Sequence, residues 1–371
     1  MAHAWISRPQ ARRRRFGRTL QGKYHSDGLP FPADETYRNM NDSRSFTLPL
    51  VDLAVLEATG ADTIAFLHGQ LTQDIQGLPH DQARLAGYCT AKGRLLGSMV
   101  LWKEESGGHP SVRALVKADI AQALVKRLSM FVLRAKVALQ ATDCPVHGLM
   151  LADGAGNGGL AQAGLPDGLV NSLAGPAEPW SMRRAAGAVC IAAPADGGST
   201  RWWIIPDADA AISAADMQGD DSAGLPARWQ AADIAAGLPW VQAATQDLFI
   251  PQTLNFDLIE GVSFTKGCYP GQEVVARAHY RGAVKRRMVL GTAAHSDELD
   301  AGSLPGTDTY DARQPGNPCG RVVNAAWRDG MLLLLMEAQL ADLGQADFRL
   351  GSADGPSISL GELPYAVSSQ G

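Results

Sequence analysis

The last quarter of the chain consists of short apolar segments separated by turn residues. From Lys285 onward, these segments are RRMVLGTAAH, CGRVVNAAW, MLLLLMEAQL and PSISLGELPYAV, with Gly, Pro and Asp between them. Short strands at regular intervals with turn signals between them are typical of a small antiparallel barrel or sandwich. We therefore predict that residues 284–371 form a C-terminal antiparallel β-barrel domain.

Residues 46–143 mix strand and helix patterns, which indicates an α+β unit. PLVDLAVLEATG predicts a strand, and ADTIAFLHGQLTQDIQGL predicts a helix with Asp62 as its N-cap. YCTAKGRLLG predicts a hairpin that turns at Lys92-Gly93, and a strand, a helix capped by Asp119 and a second strand follow. The apolar face of the first helix is assigned to Ile64, Leu67, Leu71 and Ile75.

The middle of the chain, residues 144–230, is rich in Gly, Ala and Pro and has a weaker pattern. GAVCIAAPADGGSTRWWIIP predicts two strands joined by a glycine turn, in which we expect Trp202 and Trp203 to pack in the core. The next segment, ARWQAADIAAGLPWV, predicts a helix that ends at Gly237. We assign 144–230 to a second α/β domain, and 46–143 together with 231–283 to the first domain.

Charge is unevenly distributed along the chain. Residues 1–45 hold nine of the 33 Lys and Arg residues and four of the 38 Asp and Glu residues, which leaves a net charge of −10 on the rest. This N-terminal segment has no sustained apolar period, so we predict a disordered basic tail, an organelle-targeting peptide or a start assigned upstream of Met40. The net negative charge of residues 46–371 argues against direct binding of nucleic acid.

The five cysteines are widely spaced and form no Cys-x-x-Cys or Cys/His cluster. This pattern predicts neither a disulfide scaffold nor a resident metal site, and it favours a reducing, cytoplasmic location. No run of 18 apolar residues is present, so we expect no membrane span. Nothing in the sequence fixes the oligomeric state.

One cysteine, Cys268, occurs in a conspicuous setting, FTKGCYPGQEVVARAHYRG. The segment after Pro270-Gly271 predicts a helix, so Cys268 would lie just before a helix N-terminus with Lys266 nearby. Both the helix dipole and an ammonium group favour a thiolate. The residues alone leave open whether Cys268 is reactive or a buried, inert residue.

Basic residues follow this cysteine. Arg277 and Arg281 lie four positions apart, so they project from the same side of the predicted helix. The group can be a solvated surface or the site of an anionic ligand or partner close to the thiol. We expect the His279 side chain to be exposed or hydrogen-bonded, and the sequence indicates no catalytic triad. The basic group comprises Arg277, Arg281, Lys285, Arg286 and Arg287.

The segment PQTLNFDLIEGVSFTKGCYPGQEVVARAHYRGAVKR resembles the signature of the YgfZ-type folate-binding proteins, relatives of the glycine-cleavage aminomethyltransferase. The K-G-C-Y-x-G-Q-E core runs from Lys266 to Glu273. FLHGQLTQDI, YCTAKGRLLG and FVLRAKVAL are similar to segments of the same family, so the resemblance covers roughly residues 46 to 365.

The resemblance implies an α+β fold, a three-domain aminomethyltransferase-like ring that binds a tetrahydrofolate-type ligand in a central hollow. It also implies a role in maturation or repair of iron–sulfur enzymes, including one that methylthiolates tRNA, with those enzymes or assembly proteins as partners. Cys268 and Lys266 are the functional residues that it implies. The residues expected at the folate are Gln70, Asn255, Tyr269, Gln272, Glu273, Arg277 and Arg281.

One departure from the transferase branch bears on activity. Aminomethyltransferases carry an acidic pair in the first-domain hairpin, whereas Leu96 and Gly97 occupy the matching places here. Without a carboxylate, proton transfer at the folate nitrogen lacks its usual agent. The sequence therefore favours a folate-dependent accessory protein. The alternatives are a one-carbon transfer enzyme, such as an aminomethyltransferase, and a scaffold with a vestigial folate pocket.

Overall fold

The chain folds into three antiparallel sheets with helices packed between and against them. The structure is a computed structural model, and it describes residues 45–106, 108–152, 158–160, 165, 167–175, 177–195, 199–207, 224–280, 284–296 and 298–367. The predicted N-terminal tail lies outside the described residues, apart from Ser45. The strands are β1 (Phe46–Pro49), β2 (Leu53–Thr59), β3 (Arg84–Cys89), β4 (Leu95–Ser106), β5 (His109–Lys117), β6 (Ala138–Ala141), β7 (His147–Leu151), β8 (Met182–Ala185), β9 (Ala188–Ala193), β10 (Thr200–Pro206), β11 (Arg286–Ala294), β12 (Asp308–Asp311), β13 (Pro318–Arg328), β14 (Met331–Gln339), β15 (Phe348–Leu350) and β16 (Ser359–Gly361). The helices are α1 (Thr63–His68), α2 (Ala118–Ser129), α3 (Asp167–Leu173), α4 (Leu225–Ala235) and α5 (Gln272–Tyr280), with 3-10 turns at Ala243–Thr245 and Ala301–Ser303.

The first sheet has the strand order β3-β4-β5-β2-β6, and its strands lie between Leu53 and Ala141. The domain bounds given above stay a prediction. The β3–β4 hairpin turns at Thr90–Arg94, with Gly93 at φ 72°, as the Lys92-Gly93 signal predicted. Helix α2 also forms where it was predicted. Its N-cap is Lys117, not Asp119. Asp119 accepts a hydrogen bond from the backbone N–H of Ala243 at 2.8 Å, so a tertiary contact replaces the predicted cap.

Helix α1 is much shorter than predicted, because it ends at His68. Leu71 leaves the helical path to form a bridge with Tyr88 of β3, so pairing with the sheet replaces the next helical turn. Ile75 is nevertheless fully buried, which shows that the apolar pattern identified core residues but not their backbone path. Asp62 does not cap α1 through its side chain; instead, its Oδ2 accepts from the N–H of Lys136 at 2.7 Å.

The second sheet has the order β1-β7-β10-β9-β8, so the first strand of the described chain joins the middle segment. The two strands predicted around the glycine turn are β9 and β10. Trp202 and Trp203 of β10 are fully buried, as predicted, and Trp203 lies 6.2–6.4 Å from the ring centroids of three other tryptophans. These three are Trp180, Trp229 and Trp240.

The third sheet is the predicted C-terminal barrel, with the order β15-β12-β13-β14-β11-β16. Its two edges are joined through residues 356–358, which lead into β16. Leu350 N–H donates to the carbonyl of Pro356, and Ile358 N–H donates to that of Phe348. This closure pairs the backbone groups of both edge strands, which would otherwise be open to pairing with another chain.

Helix α4 packs against β13 and β14 of the barrel and contributes Trp229 and Ile234 to a core that also includes residues of the other two sheets. It ends with Gly237 at φ 66°, as predicted. Asn324 of β13 then fixes the following segment, because its side chain both accepts from and donates to the backbone of Trp240. These contacts join the segment after α4 to the barrel.

Candidate functional site

Cys268 lies on a short loop that precedes α5, as the sequence predicted. The loop is held against the β3–β4 turn by two glycines in close contact. A Cβ on Gly271, at φ 82°, would lie 2.4 Å from the carbonyl oxygen of Thr90 and 2.6 Å from Cα of Gly93. Only residues without a side chain allow this approach of two backbones. The hairpin turn therefore sets the position of the loop.

Cys268 is the only exposed cysteine of the five, all of which the structure describes. Burial raises the pKa of Cys89 and of Cys190 to about 12, and these thiols are inert near neutral pH. Cys144 is half-buried and Cys319 is buried. The sequence left open whether Cys268 is buried in the core, and the structure places it at the surface.

Lys266 is bound to the end of α1. Its ammonium donates to the backbone carbonyls of His68 and Leu71, the latter at 2.9 Å, and lies 4.7 Å from the ring centroid of Tyr269. Burial lowers the pKa of Lys266 to about 8, although Asp74 and Cys268 act in the opposite direction. Lys266 therefore stabilises the loop and places a positive charge close to the thiol.

His68 is a residue at this site that the sequence analysis did not select. Its Nδ1 lies 3.2 Å from Oδ1 of Asp74, and a Cβ on Gly267 would lie 3.7 Å from its Nε2. Burial lowers the pKa of His68, and Lys266 lowers it further, against the effect of Asp74. The Asp74 contact orients the ring with Nε2 toward the loop. No local motif indicates this, because the loop is about 200 residues away.

The other predicted ligand residues are dispersed. Tyr269 is buried, and burial raises its pKa. Gln70 has a buried side-chain oxygen with no hydrogen-bond partner among the described residues. Asn255, at φ 59°, donates to the backbone carbonyl of Met288 at 2.8 Å and so serves the barrel junction.

Helix α5 carries the remaining predicted residues. Gln272 is half-buried at its start, whereas Glu273 and Arg277 are exposed and lie 3.8 Å apart as an i,i+4 pair. Arg281 lies outside the described residues. His279 is exposed, as expected, and stacks on Phe264 with 3.7 Å between ring centroids.

Some members of the predicted basic group are paired with carboxylates inside the fold, and others are exposed to solvent. Arg287 is buried and forms a bidentate pair with Asp257 at 2.6 and 3.0 Å. Arg286 lies 3.4 Å from Glu337 on the neighbouring strand. Lys285 is exposed, like Arg277. Arg277 and Lys285 are therefore the exposed members that the structure describes, and Arg277 lies 3.8 Å from the Glu273 carboxylate.

A cavity of about 380 Å³ lies between residues of the first sheet, the segment around α4 and the barrel. Lys117 donates to Oδ2 of Asp52 at 2.6 Å, and Gln230 donates to the same oxygen at 3.1 Å. Although burial raises the pKa of Asp52, Lys117 and Gln230 lower it more, so the net pKa is below its usual value. Trp240 and Asn324 also line this cavity.

Asp233 also lines this cavity. It accepts from Arg201 at 2.7 Å and from the indole N–H of Trp240 at 2.9 Å, and complete burial raises its pKa against the effect of Arg201. The cavity residues come from five separate segments of the chain between residues 52 and 325, which explains why no spacing in the sequence indicated them. A second cavity, of about 410 Å³, lies beside β11 and β16. None of the predicted site residues that the structure describes lines either cavity.

The positions compared with the transferase acidic pair are apolar in the structure as well. Gly97 is buried, and a Cβ there would lie 2.9 Å from the Leu124 side chain of α2. A side chain at Gly97 would therefore require the Leu124 side chain to move. Among the described residues, no group of three His, Cys, Asp or Glu could hold a metal ion. No described helix is long and apolar enough to cross a membrane.

The chain is similar to characterised proteins along most of its length. It is 30% identical over 348 residues to the tRNA-modifying protein YgfZ of Klebsiella pneumoniae (strain 342), covering 91% of this chain and 98% of that protein. The YgfZ of Cronobacter sakazakii (strain ATCC BAA-894) is 31% identical over 326 residues, with 86% and 93% covered. No family model matches the chain.

The fold is similar to that of a solved structure, the glycine cleavage system aminomethyltransferase T from Bartonella henselae. The TM-score is 0.62 at 17% identity, and the match covers 87% of this chain and 86% of that one. At this identity the likeness establishes the fold, which confirms the predicted aminomethyltransferase-like α+β architecture. Together with the sequence matches, it shows that the chain belongs to the family of the tRNA-modifying protein YgfZ.

Proposed function

We propose that this chain binds a tetrahydrofolate-type folate and supports the maturation or repair of iron–sulfur enzymes, including one that methylthiolates tRNA, through Cys268. The observation that carries this proposal is the single exposed thiol, which lies on a loop fixed by glycine contacts and beside the Lys266 ammonium. Relatives named tRNA-modifying proteins support the role in tRNA modification.

A lone cysteine cannot hold an iron–sulfur cluster by itself, because such clusters need several thiolate ligands. The role of Cys268 is therefore a transient contact with a client enzyme or a redox reaction. The buried and half-buried cysteines lack the access that this role needs. The apolar contacts at Gly97 favour this accessory role over aminomethyl transfer, since no carboxylate occupies that position.

Complementation tests the role of the thiol. A bacterial strain that lacks its own YgfZ would express the wild-type chain, Cys268→Ser or the half-buried control Cys144→Ser. Methylthiolated tRNA would be measured by mass spectrometry, together with the activity of an iron–sulfur enzyme. We expect rescue by the wild type and by Cys144→Ser but not by Cys268→Ser. Full rescue by Cys268→Ser would refute the role of this thiol.

The residues present fit a folate. A volume of about 380 Å³ is within the usual range of small-molecule pockets, and the polar groups of Asp52 and Gln230 lie beside the Trp240 ring in its wall. A carboxylate and an amide can hydrogen-bond a pterin ring. When bound, tetrahydrofolate supplies one-carbon and reducing chemistry. In this proposal the glutamate tail contacts Arg277, while Arg281 stays a candidate from the sequence.

Calorimetry separates the parts of this proposal. Tetrahydrofolate added to the wild type should release heat and raise the melting temperature, and Gln230→Ala should weaken both effects. Arg277→Ala should reduce the affinity for polyglutamylated folate more than the affinity for the monoglutamate. If tetrahydrofolate gives neither heat nor a thermal shift, the folate pocket is vestigial. Measurement of folate-dependent formaldehyde or ammonia release tests the one-carbon transfer alternative.

A further inference from the structure

The turn after α2 exposes three large apolar side chains in four residues. Met130, Phe131 and Leu133 are 60%, 43% and 89% exposed. Single exposed apolar residues are common on protein surfaces, but clusters of them mark interaction sites. The turn is also ordered, because its backbone is tied by hydrogen bonds from Phe131 N–H to Leu128 O and from Ala135 N–H to Val132 O.

Leu133 has φ 45°, in the left-handed region that non-glycine residues rarely adopt. A branched apolar side chain held in this conformation and turned almost completely into solvent gains nothing for the stability of the isolated chain. Strained backbone of this kind concentrates at functional positions. The strain is therefore a second observation, independent of exposure, that indicates a contact made by the turn.

Four exposed cations surround these apolar residues, and the sequence contains no Asp or Glu between residues 120 and 142. Asp62, the residue before α1, accepts a hydrogen bond from the backbone N–H of Lys136. We call this surface the basic apolar patch. It is formed by Lys126, Arg127, Met130, Phe131, Leu133, Arg134 and Lys136.

The basic apolar patch and the thiol loop are connected through the same small core. Arg127 lies beside the Tyr88 hydroxyl, Tyr88 forms a bridge with Leu71, and the Leu71 carbonyl accepts from Lys266. Leu128 at the base of the patch belongs to the same apolar cluster as Leu67 and Leu71 of the α1 region. The patch and the Cys268 loop are therefore supported by the same apolar cluster of the first sheet.

We infer that the basic apolar patch is the docking surface for the iron–sulfur client enzyme, which binds it through an apolar contact area rimmed by Asp and Glu. This inference rests on the proposed function. Met, Phe and Arg are enriched at protein–protein interfaces, and the four cations require an acidic partner surface. A second copy of this chain, whose residues 46–371 carry a net charge of −10, is the competing occupant that the binding test separates.

Direct binding tests the inference with the purified, intact tRNA-methylthiolating enzyme as probe. The variants are the apolar M130S/F131S/L133N, in which Asn suits the left-handed conformation, and the charge reversal R134E/K136E. Val51→Ser and Met331→Ser are controls, because these apolar residues are exposed elsewhere. Each patch variant should weaken binding by about tenfold or more, as loss of interface anchors does, with unchanged melting temperature. The controls should bind like the wild type.

The same variants are then tested for rescue of tRNA methylthiolation. Cys268→Ser should bind the enzyme but not rescue, whereas the patch variants should lose both. Full rescue by Cys268→Ser would contradict the proposed thiol role while the binding assay still decides the docking inference. The inference is overturned if the patch variants bind the enzyme normally or the wild type does not bind it. It is also overturned if the patch substitutions instead abolish self-association or binding to phosphatidylserine vesicles or transfer RNA.

Discussion

Substitution of Gly271 by Ala tests how the thiol loop is held. At φ 82° an alanine is strained by about 1–2 kcal/mol, whatever space surrounds it. Its Cβ would also lie 2.4 Å from the Thr90 carbonyl oxygen and 2.6 Å from the Gly93 Cα. Both atoms belong to backbone, so relief requires movement of the loop or the hairpin. Overpacking of this kind costs about 1–3 kcal/mol more.

Gly330 supplies a matched control. It has φ 74° in the turn between β13 and β14, and a Cβ there would meet no atom within 4 Å. Gly330→Ala should therefore show the conformational cost alone. We expect Gly271→Ala to lower the free energy of unfolding by about 1–3 kcal/mol more than Gly330→Ala does.

Urea unfolding measures this difference, and alkylation of Cys268 by iodoacetamide reports whether the loop has moved. The alkylation rate should change in Gly271→Ala and stay at the wild-type value in Gly330→Ala. Equal losses of stability in the two variants, within about 0.5 kcal/mol, would refute the argument that close backbone contact fixes the loop.

Three further predictions concern buried polar groups. Lys266 has a pKa of about 8 in the folded chain against an ordinary value of 10.5, so the unfolded chain binds more protons between these values and stability should rise with pH there. Lys266→Met should remove this rise in unfolding experiments at pH 7–10. Asp233→Ala leaves the buried Arg201 without its carboxylate, and calorimetry should show a loss of about 3–5 kcal/mol, which the double change with Arg201→Met should partly restore. Tyr365→Phe removes the hydrogen bond to the Gly237 carbonyl and should cost about 1 kcal/mol in urea unfolding; an unchanged midpoint would show that this bond contributes nothing.

Local signals in the sequence predicted many of the elements correctly. The alternation of apolar and turn residues indicated the barrel, and Gly93 and Gly237 marked a hairpin and a helix end. Each of these features depends on a few neighbouring residues, whose conformational preferences act over one or two turns of chain. Helix α1 shows the limit of such signals. The spacing that ran on to Ile75 was correct for burial but wrong for the backbone, because Leu71 pairs with Tyr88.

The thiol site was predicted in part. The sequence predicted that Cys268 lies just before a helix, and the structure places that cysteine at the surface before α5. Its reactivity stays a prediction. His68 was missed, because it reaches the loop only when α1 packs beneath it. The basic group was also misleading as a unit, since Arg287 is committed to a buried pair with Asp257.

The sequence by itself determined the strand and turn pattern of the barrel, the net negative charge of residues 46–371 and the position of one unusual thiol. These properties follow from the composition and from the order of neighbouring residues, which are the same before and after folding. The tertiary structure decided which glycines are in close contact, which cations are exposed to solvent and which side chains form the cavity around Asp52 and Trp240. Those contacts join residues more than 100 positions apart, and only the packing of three sheets and their helices brings such residues together.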